Sequence, residues 1–167
     1  HTGASGDPLS PLSYYHGGGP IAEVIEKFRE TSGLRRVAIM GLGAGGITCH
    51  GESGEEWTFF EIDPLVVKIA RDPKLFTYVS DCAPQTKIVV GDARLKIAEA
   101  PDKQFDIIIM DAFNSDSVPA HLLTREAFQG YLKKLDAGGV LVVHISNRHI
   151  DLEPPLANLA KDLSLDA

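Results

Sequence analysis

The segment Val37-Ala38-Ile39-Met40-Gly41-Leu42-Gly43-Ala44-Gly45-Gly46 runs apolar and then breaks into glycines, and Glu61-Ile62-Asp63 closes a second apolar run. An uninterrupted apolar strand is typical of a parallel sheet covered on both faces. Glycines at its carboxyl end let the backbone approach a ligand, because no Cβ intervenes. Glu61 follows Gly41 by 20 residues, the spacing at which an acid accepts hydrogen bonds from ribose hydroxyls. A nucleotide-type cofactor at the strand ends is therefore expected.

The rest of the chain alternates in the same way. Ile21, Val24, Ile25 and Phe28 repeat at helical spacing between Pro20, suited to a first turn, and Gly33, suited to a stop. Strands are expected at 36–40, 57–61, 87–90, 105–110 and 140–145. Helices are expected just after Gly46 and at 64–71, 93–98, 125–135 and 154–163. Strand–helix alternation requires crossovers, which predicts a Rossmann-like, doubly wound, mainly parallel α/β sheet with helices on both faces. In such a sheet ligands sit beyond the carboxyl ends of the strands where the winding reverses, here between the first and fourth strands. Residues 1–20, rich in Gly, Pro and Ser, read as an N-terminal arm, and 21–167 as one domain.

At 167 residues the chain suits a single core. Its formal charge of −7, from 16 basic and 23 acidic residues, argues against a nucleic-acid partner and is compatible with a small cationic substrate. No apolar run approaches the ~18 residues of a membrane span, so no membrane contact is expected from this segment. Cys49 and Cys82 lack a metal-type spacing and read as isolated buried thiols, with neither disulfide nor zinc. A reducing, cytoplasmic setting follows by default. A start at His1 rather than Met suggests a processed product or a soluble piece of a longer, membrane-attached protein.

Gly41, Gly43 and Gly46 satisfy G-x-G-x-x-G, which permits a nicotinamide dinucleotide. Glu61 serves dinucleotides and S-adenosylmethionine-type cofactors alike. Gly91-Asp92-Ala93, after the third strand, adds an acid suited to an adenine amino group. Glycine loop, Glu61 and Asp92 together resemble class I methyltransferase-fold proteins. A reading without ligand stays open, because Asp63 and Asp92 both stand where helix N-caps are wanted.

The substrate segment is Met110-Asp111-Ala112-Phe113-Asn114-Ser115-Asp116-Ser117-Val118-Pro119, followed by Ala120-His121-Leu122-Leu123-Thr124-Arg125-Glu126, Gly138-Gly139-Val140-Leu141 and His144-Ile145-Ser146-Asn147-Arg148. Over residues 14–160 this pattern resembles the spermidine/spermine synthase family of aminopropyltransferases, closest to its bacterial spermidine-synthase-like branch. The resemblance implies a class I methyltransferase-type fold and transfer of an aminopropyl group from decarboxylated S-adenosylmethionine to an amine. It implies Asp116 as the base, Asp111 as the acid that positions the amine, and Tyr14 and Tyr15, beside His16, as lining of the amine site. Gly41, Gly43, Glu61, Asp92 and Ala93 would hold the cofactor, and no metal is implied.

Two positions depart from the family pattern. Ala44 replaces an acid of the glycine loop that contacts the aminopropyl amine, and Ser117 replaces a proline after the loop acid. Without the acid at 44, intact S-adenosylmethionine or its thioether product becomes an alternative ligand. A methyltransferase and a non-catalytic adenosyl-ligand or polyamine-binding module therefore stand beside the aminopropyltransferase reading. His50, His121, His144 and His149 lack metal-ligand spacing and are expected to hydrogen-bond or lie on the surface. The C-terminal β-hairpin usual for the fold is expected to be missing, which would leave the fifth strand open and favour a homodimer.

Overall fold

The protein is described by a computed structural model covering residues 17–112, 119–146 and 150–166. Five strands form one sheet: β1 (Arg36–Met40), β2 (Glu56–Glu61), β3 (Lys87–Val90), β4 (Phe105–Met110) and β5 (Leu135–Val143). Their order is β3-β2-β1-β4-β5 and every pairing is parallel. The winding reverses between β1 and β4, as the strand–helix alternation predicts.

Among the described residues six α-helices accompany the sheet: α1 (Pro20–Ser32), α2 (Pro64–Ala70), α3 (Tyr78–Cys82), α4 (Ala93–Ala98), α5 (Arg125–Lys134) and α6 (Glu153–Asp162). Alternate residues of a strand face opposite sides, and β1 and β4 distribute their apolar side chains accordingly. Val37, Ile39, Ile107 and Ile109 pack with Ile21 and Ile25 of α1, Ala70 of α2 and Val79 of α3. Ala38, Met40, Ile108 and Met110 pack on the other face with Ala93 and Ile97 of α4 and Phe128 and Tyr131 of α5, and α6 adds Leu156 and Leu159. The three isoleucines of β4 are fully buried, each contributing about 1.5–3 kcal/mol relative to exposure. These two cores make the central strands the rigid base of the cleft.

Local signals in the sequence place the element ends. Gly33 terminates α1 at φ +73°, its N–H donating to the Arg29 carbonyl. Asp63, Asp92 and Thr124 cap α2, α4 and α5 by accepting the N–H groups of Leu65, Leu95 and Ala127. The buried Asp106 of β4 accepts the backbone N–H groups of both Arg35 and Arg36 at 2.7 Å, tying the entrance of β1 to β4. No strand beyond β5 joins the sheet among the described residues, and β3 and β5 form its edges.

Three expectations need correction. The fifth strand starts at Leu135 rather than Val140 and ends at Val143 rather than Ile145. Gly138-Gly139, which precede the expected strand, are absorbed into it as a bulge: Leu135 pairs with Phe105, and pairing resumes at Val140 opposite Ile107. Gly138 takes φ +78° there, which a side chain rarely tolerates. Secondly, α3 has no counterpart in the sequence reading, because five residues are too few to show a helical period.

The third correction concerns the cysteines. Cys49 and Cys82 form a disulfide. The 33-residue separation conceals that the 3-10 turn Gly46–His50 lies against α3. Thr48 donates its hydroxyl to the carbonyls of Gly45 (2.6 Å) and Tyr78 (3.2 Å), which brings the two segments together beside the thiols. The bridge ties the end of the glycine loop to α3.

Candidate active site

Parallel pairing assembles the site. The ladder continues one residue past each strand: Gly41 N–H donates to the Phe60 carbonyl, Gly91 N–H to Glu61, Asp111 N–H to Met40 and His144 N–H to Met110, at 2.8–3.0 Å. Gly41, Glu61, Gly91, Asp111 and His144 therefore stand along one edge of the sheet. A cavity of about 340 Å³ opens there, lined by Gly41, Leu42, Gly43, Glu61, Asp92, Ala93, Asp111 and His121 among others. All five residues expected to hold a cofactor, and one of the two acids expected to serve the amine, meet in one place. A larger cavity of about 670 Å³ lies at the amino ends of β2 and β3, between residues 51–58 and 82–87. It is at the opposite end of the strands from every motif, and cleft chemistry in such sheets belongs to the carboxyl ends.

Gly41 is dictated by a close approach. Its φ is +99°, and a Cβ there would lie 2.5 Å from the Asp111 carbonyl oxygen. Gly43 also has positive φ, +53°, with nothing near the position of a Cβ. One glycine lets two strand ends converge; the other shapes the loop.

Glu61 is buried, and each of its oxygens accepts a backbone N–H: Oε2 from Leu42 at 2.9 Å and Oε1 from Asp63 at 3.0 Å. A carboxylate oxygen has two lone pairs, so acceptor capacity remains toward the cavity that Glu61 lines. Asp92 is similarly occupied. Its Oδ1 caps α4 through Leu95 N–H at 3.1 Å, and its Oδ2 lies 3.1 Å from His121 Nε2. The helix-cap alternative is thus realised at both Asp63 and Asp92, although Asp92 also faces the cavity. Arg94 donates to the His121 carbonyl at 2.8 Å, holding the turn that carries His121 against α4.

Asp111 is paired with His144, Oδ1 to Nδ1 at 2.5 Å, and each side chain is 16% exposed. Burial pushes the Asp111 carboxyl above the ordinary aspartate value, and the hydrogen bond and charge of His144 draw it partly back. The sequence does not reveal the pairing, because a fifth strand running to residue 145 puts His144 inside it. Asp111 is the first residue past β4, and His144 is the first past β5, a correspondence that only the observed end of β5 at Val143 shows. His121 and His144 both form hydrogen bonds to cavity acids, the role expected of them. Among the described residues no three His, Cys, Asp or Glu side chains form a metal-binding group. Asp116, Tyr14 and Tyr15 lie outside the described residues, as do Ser117, His16 and His149.

A glycine loop, a buried acid after β2, a capping acid after β3 and a paired acid after β4 around one cleft define an α/β protein of the class I S-adenosylmethionine-dependent methyltransferase fold. An S-adenosylmethionine-dependent methyltransferase from Archaeoglobus fulgidus superposes with a TM-score of 0.56 at 20% identity, over 87% of this chain and 69% of its own. More specific matches narrow the class. The sequence model of the spermine/spermidine synthase domain matches residues 22–161, and the chain belongs to that family. The polyamine aminopropyltransferase of Vibrio vulnificus (strain CMCP6) is 35% identical over 116 residues, which are 65% of this chain and 37% of that protein. Spermidine synthase from Thermotoga maritima superposes with a TM-score of 0.63 at 25% identity, covering 84% of this chain and 47% of its own. The chain thus spans less than half the length of either relative. No helix among the described residues is long and apolar enough to cross a membrane.

Proposed function

We propose that this domain transfers an aminopropyl group from decarboxylated S-adenosylmethionine to the amine of a polyamine. The observation that carries the reading is the partly buried Asp111 carboxyl in the cavity that Gly41 and Glu61 also line. Family membership supports it. In the proposed step the amine lone pair attacks the carbon next to the sulfonium. The C–N bond forms, the C–S bond breaks with its electron pair passing to sulfur, and the nitrogen gives up a proton. Asp111 would attract and orient the acceptor ammonium, and Asp116 would take the proton. Glu61 would accept from the ribose, Asp92 from the adenine amino group, and Gly41, Gly43 and Ala93 would leave backbone room. Tyr14 and Tyr15 would cover the amine.

Ala44 favours a second reading. Without an acid in the glycine loop, intact S-adenosylmethionine becomes a competing ligand, whether for methyl transfer or for binding alone. Calorimetric titration with decarboxylated cofactor, intact cofactor, methylthioadenosine and NAD distinguishes these, and putrescine-dependent release of methylthioadenosine tests turnover. Asp116→Asn is expected to keep cofactor affinity and lower the rate by about 10²–10⁴. A preference for NAD, or an unchanged rate in that variant, overturns the corresponding assignment.

The homodimer belongs to the same reading, with β5 an open edge on which copies would associate; a monomer in sedimentation experiments would remove it. A cytoplasmic location faces one opposing observation, the Cys49–Cys82 bridge, since such bridges persist mainly in oxidising compartments. Trapping the thiols in intact cells decides between them.

A further inference from the structure

His144 and Asp111 are brought together by strand register. Their backbones are fixed by hydrogen bonds to Met110 and Met40, at 3.0 and 2.9 Å, and Nδ1 and Oδ1 close to 2.5 Å. We propose that His144 is a positioning residue for the acceptor amine, orienting the Asp111 carboxylate and setting by its own charge whether the pair attracts an ammonium. The proposal rests on the aminopropyl-transfer reading of the same cavity.

Charge arithmetic carries the argument. Ionised Asp111 beside a neutral imidazole holds one net negative charge, whereas beside an imidazolium it holds none. An ammonium is drawn to the first state and not to the second, because an opposite charge within ~4–6 Å is what stabilises a partly desolvated cation. The other titratable groups lining the cavity among the described residues are Glu61, Asp92 and His121. Glu61 is held by the N–H groups of Leu42 and Asp63, and Asp92 by Leu95 N–H and His121. Among the acids lining the cavity, Asp111 and Asp92 are thus the two paired with a histidine. His121→Gln serves as the control for that second pair.

Linkage makes the proposal testable in both directions: if protonating His144 weakens amine binding, amine binding must make His144 harder to protonate. The imidazole titration of His144 is followed by NMR in the full chain, alone, with saturating putrescine, and in Asp111→Asn. Putrescine is expected to move the titration to lower pH, and Asp111→Asn, which removes the paired charge, to move it in the same direction. In parallel, kcat/KM for putrescine is measured against pH. His144→Gln can still donate an N–H to Asp111 but cannot become charged. It is expected to shift the acidic limb down by about one pH unit or more, while His121→Gln leaves that limb in place.

Turnover with the same acidic limb in wild type and His144→Gln overturns the inference and leaves the transfer reading intact. Coupling by NMR without turnover ends the transfer reading and retains His144 as the determinant of amine binding. A His144 titration indifferent to both putrescine and Asp111→Asn refutes the inference whatever the activity. Should His144→Gln fail to fold, the wild-type and Asp111→Asn titrations still decide it.

Discussion

Glu61, the last residue of β2, accepts the backbone N–H of Leu42 in the loop after β1 at 2.9 Å. The acid expected to meet a ribose is thus also the clamp that shapes the glycine loop. Its second oxygen holds Asp63 N–H at 3.0 Å, so one buried carboxylate organises two turns on the cavity edge. A ribose bound at Glu61 would therefore be coupled to the geometry of the glycine loop.

Replacing Glu61 with Gln removes one acceptor oxygen and the negative charge. Affinity for adenosyl ligands is expected to fall by about 1.5–3 kcal/mol, the range for hydrogen bonds to a charged group, with a lower melting temperature in the ligand-free protein. Calorimetry and thermal unfolding measure the two effects. Unchanged affinity in the folded variant would remove Glu61 from the ligand site while leaving its loop role.

Gly41→Ala is expected to cost at least about 2 kcal/mol of stability. The added Cβ would meet the Asp111 carbonyl at 2.5 Å in a backbone conformation of φ +99°. Urea unfolding gives the loss directly. A variant as stable as wild type would mean that the ends of β1 and β4 do not approach this closely.

Breaking the disulfide by Cys49→Ser and Cys82→Ser together should destabilise the domain. For a separation of 33 residues, the chain-entropy relation gives roughly 3–4 kcal/mol. Reduction with dithiothreitol is expected to lower the melting temperature of the wild type but not of the double variant. Two titratable thiols in the native, unreduced protein would contradict the bridge.

Glu55 predicts a pH effect. Burial alone would raise its carboxyl, but hydrogen bonds from Arg29, Glu52 N–H and the Trp57 indole outweigh that and hold it below the ordinary value of 4.5. Because the folded value is depressed, the stabilisation is present above pH 4.5 and is lost as pH falls through the folded value. Glu55→Gln is expected to cost about 1.5–3 kcal/mol near pH 7, with the deficit shrinking at acidic pH, below 4.5. Urea titrations at neutral and acidic pH check both the size and the sign.

Ala44→Asp restores an acid to the glycine loop. Preference is expected to move toward decarboxylated cofactor by about tenfold, near 1.4 kcal/mol, because its ammonium gains a partner and a carboxylate meets like charge. Equal ratios of the two affinities in wild type and variant would show that position 44 does not face the ligand tail.

The sequence by itself determined the parallel sheet and its helices, because apolar runs such as 105–110 and caps such as Asp63, Asp92 and Thr124 are local signals that burial and backbone satisfaction impose on any fold of this class. It also located the cavity edge, since residues past the carboxyl ends of parallel strands must collect there. Tertiary structure alone decided the pairs. Cys49 meets Cys82 because the turn after the glycine loop packs on α3; Asp111 meets His144 because the bulge at Gly138-Gly139 sets where β5 ends. Glu61 meets Leu42 because β1 and β2 run in register. Such contacts depend on register and packing between segments far apart in the chain, and no local period or motif encodes them.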